Sequence, residues 1–111
     1  MTQTYDAIVI GAGVIGASIA FHLAERGLKV AILERKTVAS GATGYSSGLV
    51  RMHYDLAAES ELVFASYKKY FSNWKERVGG DCGFINTGFL KIATREHEDK
   101  LRGNVANQQR I

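Results

Sequence analysis

Two unbroken apolar runs, Ala7-Ile8-Val9-Ile10 and Val30-Ala31-Ile32-Leu33, flank a segment whose apolar positions recur every three or four residues. Runs of that length predict two strands, and Ile15, Ile19, Phe21, Leu23 and Ala24 predict a helix between them, from about Ala17 to Arg26. The small residues Ala12, Ala17, Ala20 and Ala24 keep that helix close to the sheet. Strand, helix and strand together predict a βαβ unit over about residues 1–35. Periodicity then stops. From Lys36 to Arg51 the chain predicts a loop, and Ser40-Gly41-Ala42-Thr43-Gly44-Tyr45-Ser46-Ser47-Gly48 holds three glycines and four serine or threonine hydroxyls. That mixture makes a poor core and a good lining for an anion or a polar ring.

An amphipathic stripe returns in Leu56, Glu59, Leu62, Val63, Ser66, Tyr67, Tyr70, Phe71 and Trp74, which predicts one long helix from Asp55 to Arg77, closed by Val78-Gly79-Gly80. Its aromatic residues are expected to be core. Two short strands are predicted at Phe84 to Asn86 and Phe89 to Ala93, joined by Thr87-Gly88. The charged tail from Arg95 to Ile111 predicts a helix with His97 on a solvated face. The fold class read from this order is α/β: a Rossmann-like βαβ unit, then a long helix and a small β region. Three blocks result, 1–35, 36–54 and 55–111.

Chemistry enters at the turn Gly11-Ala12-Gly13-Val14-Ile15-Gly16, which lies between the first strand and its helix. Gly11 permits a tight exit from the strand, Gly13 lets the backbone approach a pyrophosphate, and Gly16 lets helix and sheet pack closely. The start of the helix offers unpaired N–H groups and a partial positive charge to the phosphates. Glu34 follows Gly16 by 18 positions, near the roughly 20 expected of an acid that binds ribose hydroxyls. An acid there repels a 2′-phosphate, which argues against NADP. It leaves NAD and FAD open, since their adenosine halves are alike.

The net charge of +3 comes from 14 basic residues scattered among 11 acids, a distribution that argues against a nucleic-acid interface. The apolar stretches are strand-sized, so no membrane span is expected. The first strand begins within a few residues of Met1-Thr2-Gln3-Thr4, which leaves no room for a secretion signal and predicts a cytoplasmic location. Cys82, the single cysteine, excludes an internal disulfide and a cysteine-based metal cluster, and is expected to be a small semi-buried residue. His22, beside Phe21, is expected to be structural or at the surface. Because a dinucleotide enzyme needs a complete sheet and a substrate region, 111 residues are expected to form the N-terminal part of a larger two-domain fold. An open strand edge and the stripe Tyr67, Tyr70, Phe71 and Trp74 also raise an alternative: a non-catalytic piece that self-associates or is completed by a companion chain.

The order Val9-Ile10-Gly11-Ala12-Gly13-Val14-Ile15-Gly16, Leu33-Glu34-Arg35, Ser40-Gly41-Ala42-Thr43-Gly44 and Gly48-Leu49-Val50-Arg51 resembles the amino end of FAD-dependent amine oxidoreductases of the D-amino-acid oxidase superfamily. The branches it resembles are sarcosine oxidase β subunit, dimethylglycine and sarcosine dehydrogenases, glycine oxidase and proline dehydrogenase β subunit. The likeness extends over almost the whole chain. It implies that Gly11, Gly13, Val14, Ile15 and Gly16 line the FAD pyrophosphate, that Glu34 binds the adenosine ribose, and that Arg35 flanks the adenine. Ser40, Gly41, Ala42, Thr43, Gly44, Ser46, Ser47 and Gly48 would pass along the pyrophosphate, ribityl chain and flavin. Arg51 corresponds to an arginine that pairs with the substrate carboxylate in some members; a structural salt bridge is its competing role. Tyr45 stands where dimethylglycine dehydrogenase-like members carry a flavin-linking histidine, so the FAD is expected to be non-covalent. The implied activity is oxidation of a sarcosine-, glycine- or proline-like substrate, with hydride passing from the amine-bearing carbon to flavin N5. None of these residues is assigned a catalytic or metal-binding role, and an NAD-linked dehydrogenase is the alternative enzyme.

Overall fold

A computed structural model describes residues 3–111 and divides into two compact units, one ending at Leu49 and the other spanning Val50–Ile111. Met1 and Thr2, on which the expectation about a secretion signal partly rests, lie outside the described residues.

The first unit is the βαβ element. Strand β1 (Ala7–Ile10) pairs in parallel with β2 (Val30–Leu33), Ala7 facing Val30 and Ile10 facing Leu33. Helix α1 (Val14–Glu25) crosses between them. It starts before the predicted Ala17 because Gly13, extended at φ −83°, serves as its N-cap, and the Ala17 N–H already bonds the Gly13 carbonyl at 2.9 Å. Its other end closes on Gly27, at φ +84°. There Gly27 N–H donates to Ala24 O and Leu28 N–H to Leu23 O, the paired bonds of a glycine-terminated helix.

Of the four small residues expected to keep the helix close, Ala12 and Ala20 are buried, whereas Ala17 and Ala24 are exposed. Ile8, Ile15, Ile32 and Leu33 are exposed, and Ile10 is 87% exposed. Two strands and one helix cannot cover each other on every face, so much of the apolar surface of the two strands is open here.

The second unit begins with α2 (Ala57–Lys69), followed by a tight 3-10 turn (Phe71–Asn73) and the short α3 (Trp74–Arg77). The single helix expected from Asp55 to Arg77 is therefore broken at Tyr70, whose backbone leaves the helical region at φ −124°. The break lets Phe71 lie against both Trp74 and Phe84, with ring centroids 5.5 and 5.2 Å away. Tyr67 also reaches Phe84, at 6.2 Å. The aromatic part of the stripe thus clusters but is half-buried rather than core, and Leu56 and Leu62 are exposed. Val78-Gly79-Gly80 does end the helix, with Val78 N–H on Trp74 O at 2.8 Å.

The strands expected at Phe84 to Asn86 and Phe89 to Ala93 do not form a ladder among the described residues. Ile85, Leu90 and Ile92 stay exposed, and Thr87 N–H closes a local turn onto Ile85 O at 3.0 Å. An extended segment needs a hydrogen-bonding neighbour to become a strand, and this unit supplies none. Cys82 is exposed rather than semi-buried, because it follows the Gly79-Gly80 turn outside the aromatic cluster. The tail helix does form, as a 3-10 turn (Arg95–His97) running into α4 (Glu98–Gln108). His97 is exposed and hydrogen-bonded to Thr94, and His22 pairs with Glu25 while resting on Phe21.

Candidate functional site

A cleft of about 770 Å³ opens in the first unit between the glycine turn, the end of β2 and the loop that follows it. Gly11 leaves β1 at φ +102°, a conformation that favours glycine, and its N–H still bonds Leu33 O at 2.8 Å. The turn can therefore reverse direction while the sheet stays paired. At Gly16 a Cβ would fall 1.9 Å from the Gly11 carbonyl oxygen, so this glycine sets how closely α1 approaches the strand exit. At Gly13 a Cβ would meet only the Thr43 hydroxyl, at 3.0 Å. Gly13 and Thr43 both line the cleft.

The first N–H groups of α1 have no acceptor within the helix. Val14 N–H finds one in Thr43 Oγ1 at 3.0 Å, and the loop is fastened a second time where Ala39 N–H donates to Ala12 O at 3.0 Å. These two bonds bring the hydroxyl-rich loop over the helix start. Ile15 and Gly16 follow in the same turn and line the cleft. Their amides, with the positive end of the helix, suit an anionic group.

Glu34 stands at the end of β2, on the cleft wall. Its Oε2 accepts the Ala12 N–H at 2.9 Å and its Oε1 the Lys36 N–H at 2.8 Å. These amides, Ala12 foremost, hold its carboxyl below the usual carboxylate range, with a further contribution from Arg35. Two amides occupy only part of the acceptor capacity of a carboxylate, so the group stays ionised with lone pairs for a diol.

Of the residues singled out in the sequence, Gly11, Gly13, Val14, Ile15, Gly16, Glu34, Arg35, Ser40, Gly41, Ala42, Thr43 and Ser46 line this cleft. Gly44, Ser47 and Gly48 are not in its wall; Gly44 serves the loop itself, where a Cβ would sit 2.5 Å from Ala39 O. Tyr45, part of the loop expected along the flavin, lines it too, and Ile19, Lys36 and Ala39 line it without having been expected to. Lys36 had a signal, its place two residues after the acid. Ala39, at φ +60°, had none, because alanine does not advertise a left-handed position.

Arg51 belongs to the second unit, where it is exposed and its guanidinium lies over the Tyr54 ring, 5.0 Å from the centroid. Among the described residues, no carboxylate is paired with it. The same segment carries a polar cluster that the sequence did not reveal. Asp55 pairs with Lys100 at 2.7 Å and Lys91 at 3.4 Å, and accepts the Asn104 side-chain N–H at 3.0 Å. Lys100 first, then Lys91, lower its pKa from the usual 3.8 to about 2. A depressed carboxylate pKa contributes stability that is complete above the unfolded value and disappears as pH falls through the folded one. Asp55→Asn is therefore expected to lower the unfolding midpoint at neutral pH, and the gap from the parent should close between about pH 4 and about pH 2. Thermal melts of both proteins across that range check it, and a gap that persists unchanged at the acid end refutes it.

Among the described residues, no group of three or more His, Cys, Asp or Glu is placed to hold a metal ion. Among the described residues, no helix is long and apolar enough to cross a membrane.

Residues 6–111 match the family model DAO, described as FAD dependent oxidoreductase. The chain is 36% identical over 104 residues to glycine oxidase of Geobacillus kaustophilus (strain HTA426), which covers 88% of this chain and 28% of that protein. It is 31% identical over 90 residues to mitochondrial dimethylglycine dehydrogenase of Homo sapiens, covering 80% of this chain and 10% of that protein. The solved structure of L-proline dehydrogenase from P. horikoshii superposes with a TM-score of 0.83 at 25% identity, over 99% of this chain and 29% of that one. The chain thus spans less than a third of the length of these relatives.

Proposed function

Because the chain belongs to the DAO family of FAD-dependent oxidoreductases, we propose that the whole protein oxidises a small amino acid or N-methylated amine with FAD held non-covalently in the cleft of the first unit. The observation that carries this reading is Glu34, an ionised carboxylate fixed by the amides of Ala12 and Lys36 on the cleft wall. It suits the two hydroxyls of an adenosine ribose, and it disfavours a 2′-phosphate. The pyrophosphate would lie over Gly13, against the amides of Ile15 and Gly16 and within reach of the Thr43 hydroxyl. Thr43 fits that place because its oxygen already accepts from Val14 N–H, which leaves its proton free to donate to a phosphate oxygen. Ser40, Gly41, Ala42 and Ser46 would continue the wall toward the ribityl chain.

Bound FAD supplies the acceptor for the hydride that leaves the amine-bearing carbon. The residues described above bind and orient it. Tyr45 stands where a histidine would be needed for a covalent link, which supports dissociable cofactor. The names of the relatives, glycine oxidase and dimethylglycine dehydrogenase, support a substrate with an amine beside a carboxylate. Arg51 is the residue we assign to that carboxylate: its guanidinium lies over the Tyr54 ring, and a guanidinium can bind a carboxylate through two parallel N–H bonds. The nicotinamide alternative finds no support in a family described as FAD dependent.

Flavin titration of the whole protein tests the reading. Glu34→Gln keeps the shape and loses the charge, and FAD affinity is expected to fall on the order of ten- to a hundredfold, as for a lost charged hydrogen bond. Parent-like affinity in that variant, or a colourless protein that takes up NADH, would overturn it.

A further inference from the structure

The segment from Arg51 to Asp55 has no helix or strand of its own, yet three successive residues in it are bound by side chains. His53, only 8% exposed, is the centre. Lys91 Nζ lies 3.0 Å from its Nε2. An ammonium can only donate, so Nε2 is the acceptor and the proton sits on Nδ1. Nδ1–H then donates to Gln108 Oε1 at 3.1 Å. The Gln108 amide nitrogen is also close to Nδ1, at 2.9 Å, but two donors do not bond, and that NH2 is left to donate to the Tyr54 carbonyl at 3.4 Å. The Ser60 hydroxyl donates to the same carbonyl at 3.4 Å. Asp55 is held by Lys100, Lys91 and Asn104, and the edge of Phe89 packs on the imidazole with centroids 5.8 Å apart.

A buried hydrogen-bonding imidazole at this point costs desolvation that an apolar residue would not, so its polarity needs a reason. Tyr54 supplies one. Its backbone is fixed by Gln108 and Ser60, and its ring is the platform for the Arg51 guanidinium. We propose that His53 is a positioning residue for the substrate carboxylate: its neutral imidazole, bridged between Lys91 and Gln108, holds the segment on α4 so that Tyr54 keeps Arg51 aimed. This rests on the reading of Arg51 as the carboxylate ligand.

The test uses the FAD-loaded whole protein with glycine and sarcosine as probes. His53→Leu keeps the volume and removes both hydrogen bonds. Amide exchange over residues 50–56 should quicken at least about tenfold, and KM should rise on the order of tenfold with kcat within about twofold. His53→Gln, which can still accept from Lys91 and donate to Gln108, should restore both values. Gln108→Leu, which spares the imidazole, should reproduce the leucine effect if His53→Leu does not fold. Parent-like exchange over 50–56 in His53→Leu or Gln108→Leu overturns the clasp whatever the kinetics show. So does an unchanged KM in His53→Leu when Arg51→Lys raises it. An unchanged KM in Arg51→Lys itself overturns the carboxylate reading, and the exchange result still judges the clasp.

Discussion

Replacing Gly16 by alanine is expected to keep the first unit from folding. The added Cβ would sit 1.9 Å from the Gly11 carbonyl oxygen and 3.1 Å from its carbon. Both are backbone atoms, so no side chain can swing aside. Gly11 itself cannot retreat freely, because its N–H is bonded to Leu33 O across the strand ends and its φ is already +102°. Relief would require α1 to lift from β1, which uncovers Ala12 and Ala20, the buried apolar residues of this unit. Overpacking a well-fitted site costs about 1–3 kcal/mol, and more where only backbone can move. A domain has about 5–15 kcal/mol in total, and this unit starts with little apolar burial. Gly16→Ala should lose its cooperative melt and its solubility, read by circular dichroism and by the soluble yield. A melting temperature equal to the parent's would show that the turn has slack the geometry denies.

Gly13→Val should have the opposite character: a folded protein that no longer takes up FAD. Gly13 has φ −83° and ψ −179°, extended backbone open to any residue. Its Cβ would meet the tip of Thr43 at 3.0 Å, and that hydroxyl can give way by rotating. The valine methyls would then occupy the floor of the cleft where the pyrophosphate must come close. Flavin affinity is expected to fall by at least on the order of a hundredfold, since both the close approach and the helix amides are lost to the ligand. Circular dichroism should stay parent-like, which separates the two glycines by experiment. Parent-like FAD binding in Gly13→Val would mean that this turn does not hold the pyrophosphate, and the proposed function would fall with it.

The βαβ unit was legible because its signals are local. Four-residue apolar runs, a glycine at each sharp turn and a strand-terminal acid all act within a few positions of where they sit. The loop from Ser40 was legible in composition but not in detail. That Gly44 packs on Ala39 while Ala39 itself takes φ +60° depends on how the loop folds back on Ala12. In the second unit the stripe from Asp55 to Arg77 holds only in its aromatic half, since Leu56 and Leu62 are exposed, and the break at Tyr70 comes with the contact of Phe71 and Phe84, which no local pattern encodes. The extended stretch from Phe84 to Ala93 has the composition of strands, and composition cannot supply a pairing partner. The His53 cluster was invisible for the same reason. Lys91 and Gln108 lie 38 and 55 positions from His53, and no spacing rule joins them.

With both oxygens of Glu34 already fastened to the Ala12 and Lys36 amides, the ribose receptor proposed above would be a preset one. An incoming adenosine does not have to recruit a swinging side chain, and the carboxylate does not have to choose among rotamers at the moment of contact. Such a receptor discriminates through the fit of the diol and has little freedom to adapt to a different sugar. A nucleotide that lacks one of the two hydroxyls would leave a fixed lone pair facing nothing, and it would be rejected by rigidity rather than by a clash.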